Sequence, residues 1–409
     1  MARIRKSEGL IDWLDQRIAI KAVTKVLLTE YWIPKNINFL WAMGVVLTVL
    51  FMILLISGVF LLMYYKPDIH LAYDSVNYTI MQEVKYGWLW RHLHAVGASL
   101  VFLVIYIHMF VGIYYGSYKQ GREMIWIGGM ILFVLFSAEA FSGYMLPWGQ
   151  MSYWAAAVIT NLFGGIPVIG TDLVIWIRGN FTVADATLTR FFMLHVLLLP
   201  MLILVFIAIH FFTLRFPHVN NQKGEELDFD IEAKKYLEGD KKSSKVIPFW
   251  PVFLSKDIFV VCVFMVGYFF LTFYHYDFAM DPINFEPADA MKTPLHIYPE
   301  WYFLWSYEVL RGFFFSSDLG FLAFMVANVI FILLPFLDRS EVVAPAHERK
   351  GFRVWFWLLI ADMMLLTLYG KLPPTGINAY IGFMASIIFL ALFVALPIIT
   401  KREKTGGVA

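Results

Sequence analysis

Eight stretches of this chain are apolar enough to cross a bilayer, and they restrict its fold more than any other feature does. Hydrocarbon offers the backbone no water, so a spanning segment must satisfy its own amides as a helix or join a closed barrel. A helical crossing takes about 20 apolar residues. On that ruler the spans fall at roughly 39–64, 91–115, 125–146, 190–214, 257–275, 319–337, 353–370 and 379–399. Composition agrees, at 60% hydrophobic and 15% charged, against about a quarter charged in soluble domains. The expected fold is all-α, a polytopic protein whose partner is the lipid bilayer. A net charge of +1 carries no basic footprint, and no nucleic acid is expected.

An even number of crossings returns both ends to one side. Most of the 32 lysines and arginines lie in the tails and loops of that side, and basic residues collect in cytoplasmic loops. Both termini are therefore expected in the cytoplasm. Residues 1–38, basic and amphipathic with Leu10, Trp13, Leu14, Val23, Val26 and Leu27, are expected on the membrane surface and carry no cleavable-signal pattern. A polar linker, 217–256, would separate a four-helix unit, 39–216, from a second four-helix unit, 257–399, followed by a tail, 400–409. The loops 147–189 and 276–318 face outward and are long enough to be functional. The one cysteine, Cys262, excludes an internal disulfide or a cysteine-held iron–sulfur cluster, so any such cluster must belong to a partner.

Two of these spans hold histidine pairs, His94 with His108 and His195 with His210. Steps of fourteen and fifteen residues return to within about 40° and 60° of the start and cover about 21 to 23 Å of helix. Each helix therefore presents both imidazoles on one broad face. A lone intramembrane histidine commonly hydrogen-bonds a neighbour. Four at matched depths are better explained as axial ligands, two per b-type haem. Gly44 and Gly58 in the first span, and Gly129 and Gly143 in the third, repeat the fourteen-residue step. A side-chain-free position lets a porphyrin edge approach a helix closely.

Three further stretches make the chain recognisable: Gly143-Tyr-Met-Leu-Pro-Trp-Gly-Gln-Met-Ser-Tyr-Trp154, Ala186-Thr-Leu-Thr-Arg-Phe-Phe192 ahead of His195, and Pro299-Glu-Trp-Tyr302. With the histidine spacing they resemble the cytochrome b subunit of the quinol:cytochrome c oxidoreductases, the cytochrome bc complexes of respiratory complex III. The likeness runs through all eight spans. It implies a four-helix di-haem bundle and a proton-translocating oxidoreductase subunit that oxidises quinol at an outer site with electron bifurcation and reduces quinone at an inner one. Its implied partners are a Rieske-type iron–sulfur protein, a membrane-anchored cytochrome c subunit and a second copy of the complex. The implied location is a bacterial-type cytoplasmic membrane.

Carried over residue by residue, the resemblance implies that His94 and His195 hold an outer haem and His108 and His210 an inner one. Arg91 would meet an outer propionate, and Ser117 and Trp126 would touch the inner haem's propionate or edge. Glu300 would accept a quinol proton, with Tyr144, Tyr302 and Tyr307 shaping that pocket. Lys256 and Asp257, opening the fifth span, would deliver protons at the inner site. The chain also departs from the pattern. The fifteen-residue step resembles the photosynthetic relatives and some bacterial lineages, and it would rotate or tilt the inner haem. Val111 replaces a common arginine, Arg215 stands where an inner-site histidine is common, and Ala155 replaces a pocket glycine of the mitochondrial branch. Glu139, one turn inward of Gly143, has no counterpart in the pattern. It is either a functional intramembrane carboxyl or a protonated one bonded to the backbone. Two rival readings are a di-haem quinone-reducing anchor of a periplasmic dehydrogenase or hydrogenase, and a transporter with histidine proton relays. The C-terminal half, with its Pro-Glu-Trp-Tyr motif, argues against the anchor, and bound b-type haem would argue against the transporter. The identity of the quinone, the haem potentials and the cytochrome c partner are not legible in the sequence.

Overall fold

The computed structural model describes residues 9–403. Eight long apolar helices cross the molecule: Phe39–Leu62, Gly87–Tyr114, Glu123–Met145, Asp185–Leu214, Phe249–Tyr274, Ser317–Leu337, Lys350–Lys371 and Ile377–Lys401. They fall where apolar runs predict them, and large side chains such as Leu197, Phe259, Val266 and Met364 point outward from them, bare. In water such a surface would be unstable. Against acyl chains it is the expected exterior, so the chain is a multi-pass membrane protein.

The first span lies along the second, and the third along the fourth. The last three pack with a short helix, Leu304–Gly312, that follows the Pro-Glu-Trp-Tyr loop, while the fifth lies against the second. The loop 147–189 is itself helical, at Gln150–Leu162 and Gly170–Arg178. Arg178 ties those two helices together by donating to Thr160 Oγ1 (2.7 Å) and Asn161 Oδ1 (2.8 Å).

The linker 217–256 is more structured than its polarity implies. Asp228 caps a helix, Phe229–Leu237, by accepting from the Ile231 amide. The chain then returns as a strand, Val246–Pro248, antiparallel to Trp32–Pro34, with Ile33 opposite Ile247. Tyr31, Ile33, Ile247 and Phe253 make a small core beneath it. The linker thus binds the N-terminal segment to the start of the fifth span. Ahead of it, the helix Leu10–Ile18 buries no residue, with Leu10 and Trp13 exposed, as a surface-lying amphipathic helix requires. Residues 1–8 and 404–409, and the side chains of Val26 and Leu27, lie outside the described residues.

At the membrane edge nearer the 338–349 loop a buried ion cluster joins the two halves. Asp338, just past the sixth span, accepts two bonds from Arg349 (2.9 and 2.8 Å) and one from Tyr118, and lies 3.0 Å from Lys119 Nζ. Arg349 also pairs with Glu403 at 2.7 Å. Burial pushes the Asp338 carboxyl up, but the Arg349 hydrogen bonds and the adjacent cations outweigh it and leave the group below its ordinary value. The resulting stability is present above the unfolded carboxylate range and is lost as pH falls through the depressed folded value. Removing one partner strands the others in a dry site, at a cost of about 3 to 5 kcal/mol. Asp338→Asn is therefore expected to lower the unfolding temperature of the detergent-solubilised protein well beyond a surface control such as Glu238→Gln, with the gap between the two narrowing in acid.

Candidate functional site

The four intramembrane histidines are grouped as the helix periodicity predicts, and each faces a glycine. A Cβ on Gly58 would lie 3.3 Å from His94 Cε1, on Gly44 3.6 Å from His108 Cε1, on Gly129 3.3 Å from His210 Cε1, and on Gly143 only 2.3 Å from His195 Cε1. The fourteen-residue glycine step thus makes room for imidazoles directly, rather than only for a porphyrin edge as expected from sequence.

The His94 and His195 ring centroids are 6.0 Å apart, with planes crossed at 78°. An imidazole nitrogen sits about 2 Å from a metal it ligates, so two rings on opposite sides of one iron have centroids about 6 Å apart. The outward nitrogens are engaged: His94 Nδ1 lies 3.0 Å from Ser57 Oγ, and His195 Nδ1 lies 3.0 Å from the Glu139 carbonyl. Ser57 gives its own proton to the Ile53 carbonyl, so its oxygen is free to accept from His94. This leaves each Nε2 turned inward as a lone-pair donor. Both rings line one cavity with Arg91, Gly58, Gly143 and Glu139. Its walls are otherwise largely apolar. The donor set, the ring spacing and the side-chain-free walls fit a b-type haem.

The fifteen-residue step between His195 and His210 has a local cause. The fourth span widens into a π-turn at Leu194–Leu198, closed by the Leu199 amide bonding to the Leu194 carbonyl. Pro200 follows; it has no amide to donate, and its ring crowds the carbonyl four residues back. A π-turn takes up one extra residue.

Three inner residues have other engagements. Ser117 donates to Asn220 Oδ1 (2.8 Å), and the Trp126 N–H bonds the Phe331 carbonyl (2.7 Å) while its ring edge lies against Gly112. The Arg215 guanidinium stacks 3.9 Å over Tyr31. Any approach of Ser117 or Trp126 to a haem is therefore by van der Waals contact unless these bonds are exchanged.

The two long loops, 147–189 and 276–318, are stitched together. Gln150 receives from the Asp289 amide and donates to the Lys292 carbonyl, Asn284 accepts from Ser152, and Gly149 bridges Pro287. The Pro299–Tyr302 stretch is held to the second span by Trp301 Nε1 on Ser99 Oγ (2.8 Å), by the Tyr106 hydroxyl on the Tyr302 carbonyl (2.6 Å), and by the Tyr302 ring lying parallel on Phe102 at 4.0 Å. Tyr307 spends its hydroxyl on the Ile297 carbonyl (3.0 Å), so it braces the loop. Glu300 is half-buried. Burial, with the Asp281 charge, pushes its carboxyl up to about 7. The Tyr302 phenol is raised too, by burial and by Glu300, and Glu300 also lies within electrostatic reach of Tyr144. Ala155 is buried on the helix that follows Tyr144.

A second cavity lies at the opposite membrane edge, lined by Asn38, Phe39, Phe253, Lys256, Asp257 and Val260 among others. The fifth helix begins at Leu254, earlier than expected. Asp257 is therefore buried within the first turn, while Lys256 stays exposed.

The family model "Cytochrome b/b6/petB" matches residues 28–217, and "Cytochrome b(C-terminal)/b6/petD" matches 287–390. The cytochrome b of Rickettsia conorii is 41% identical, over 98% of this chain and 96% of its own. That of Rhodobacter capsulatus is 39% identical, over 97% and 92%. This chain belongs to the cytochrome b family. A solved structure titled "Hyperthermophilic respiratory Complex III" superposes with a TM-score of 0.87 at 38% identity, covering 96% of this chain and 99% of that one. The chain is accordingly a haem-binding electron-transport subunit of a bc-type, multi-subunit oxidoreductase.

Gly143→Ala is expected to force the His195 ring aside and lower the haem content per chain, measured as pyridine haemochrome. Gly44→Ala, with its 3.6 Å clearance, should leave the content unchanged.

Proposed function

We propose that this cytochrome b holds two b-type haems, one between His94 and His195 and one between His108 and His210, in a di-haem unit spanning 39–216. It oxidises quinol at an outer pocket between the 147–189 and 276–318 loops and reduces quinone at the inner cavity beside Lys256 and Asp257. The facing His94 and His195 rings carry this reading, since with their 6.0 Å separation and outward-bonded Nδ1 atoms they would hold one haem between them. Bound haem supplies one-electron carriage across the bilayer.

Quinol oxidation releases two electrons and two protons. A Rieske-type iron–sulfur partner and a cytochrome c subunit would accept one electron, and the haems held by the four histidines would accept the other. Glu300, poised near 7, is the proton acceptor. Its carboxylate takes a quinol hydroxyl proton and releases it toward outer-face water, while Tyr144 and Tyr302 bound the quinol head and Tyr307 braces the loop. Arg91, with no ion-pair partner among the described residues, is available to a haem propionate. At the inner site Asp257 and Lys256 supply protons to quinone. Release outside and uptake inside conserve energy as a proton motive force, worth about 2.3 kcal/mol per charge per 100 mV. The charge bias of the loops supports cytoplasmic termini, in a bacterial-type inner membrane, and the complex works as a homodimer.

A redox titration of the purified complex should show two b-type haems per chain with separate midpoints; one haem or none would overturn the assignment. General-base catalysis contributes about 10²- to 10⁴-fold. Glu300→Gln should therefore cut quinol:cytochrome c turnover by up to that range and flatten the profile, which in the wild type rises with pH through about 7 as the carboxylate forms. Methoxyacrylate compounds should inhibit weakly, because the Ala155 methyl narrows the outer pocket, and Ala155→Gly should restore potency in an inhibition assay.

A further inference from the structure

Glu139 is singled out by the sequence, and the proposed electron and proton paths do not use it. It lies inside the third span, where a carboxyl is expensive and calls for a stated partner. That partner is His195. The Nδ1 atom of this imidazole is 3.0 Å from the Glu139 carbonyl oxygen and also 3.0 Å from its side-chain Oε1. The ring proton is thus offered two acceptors on one residue. Glu139 Oε2 is buried and has no hydrogen-bond partner among the described residues, and the residue lines the same cavity as Arg91, His94 and His195.

The four histidines are unequal in this respect. His94 Nδ1 meets the Ser57 hydroxyl, His210 Nδ1 is buried without a bond, and among the described residues only His195 of the four has a carboxyl oxygen within ion-pair distance. A histidine that gives its outer N–H to a carboxyl becomes a more basic ligand. A more basic axial ligand favours the ferric over the ferrous state and so lowers the reduction potential of that iron.

We infer that Glu139 is a positioning and tuning residue for the outer haem: its side chain shares the His195 Nδ1 proton with the backbone, fixes the ring's orientation and holds that haem at a lower potential than the backbone bond alone would. This rests on the bis-histidine reading above. The effect is local, because the ligands of the inner haem lie about four helical turns away along the second and fourth spans.

The test is a redox titration of the intact complex carrying Glu139→Leu or Glu139→Gln, read with the low-field EPR signal of each ferric low-spin haem. Leucine removes the second acceptor; glutamine keeps an amide oxygen in its place. The expected result is an upward shift of the outer midpoint in Glu139→Leu by about tenfold in its reduction equilibrium, or about 59 mV for one electron. A smaller rise is expected in Glu139→Gln, with a changed outer EPR signal and an unmoved inner midpoint. If Glu139→Leu does not assemble, the Glu139→Gln shift decides. Two intact haems with unshifted outer midpoint and EPR signal in the assembled variants would overturn the inference and leave the bis-histidine reading standing, as would equal shifts of both haems. A wild-type complex lacking two b-type haems would overturn both.

Discussion

An imidazole buried among hydrocarbon side chains has two ring nitrogens to engage and none of the water that would ordinarily engage them. Much of the N-terminal half is arranged to meet that demand. Ser57 and Glu139 take the outward Nδ1 atoms of His94 and His195, and the inward nitrogens confront one another across a cavity. Glycine stands opposite each ring, because a helix that must lie against an imidazole has no room for a Cβ there. On the proposed reading iron completes the set, and the helix pairs are held at a spacing imposed by ligation as well as by packing.

The same economy governs the polar atoms elsewhere. Trp301, Tyr106 and Trp305 form a chain of bonds from the second span into the Pro-Glu-Trp-Tyr loop, so Glu300 is presented by a rigid backbone and its burial is stable. Charges near the 338–349 loop are gathered into a balanced cluster around Asp338. Neither arrangement concerns electron transfer directly. Both hold the C-terminal spans against the N-terminal ones, which is what brings the two long loops, joined at Gln150 and Asp289 across 139 residues of sequence, together.

The histidine pairs, their glycines, the eight crossings and the Pro-Glu-Trp-Tyr motif were legible because each is a periodicity or a local string, and hydrocarbon leaves a helix as the backbone's simplest choice. The π-turn at Leu194–Leu198 was signalled only by Pro200 and a fifteen-residue step, and an unbroken α-helix accommodates a proline near its start and that spacing equally well. The folded linker was masked by its composition, since its strand is stabilised by pairing with Trp32–Pro34 more than 200 residues away. The engagements of Trp126 with Phe331 and of Ser117 with Asn220 were equally out of reach, because a donor's partner across the bundle leaves no mark near the donor.

Spans, ligand candidates and family follow from residue identity and spacing, because helix geometry is fixed at 3.6 residues per turn and converts sequence distance into direction. Which nitrogen meets which oxygen, that Glu139 reaches His195, and that Glu300 is buried beside Tyr302 depend on how helices distant in the chain come to lie against one another. Those distances are set by side-chain packing over the whole bundle, and no local pattern encodes them.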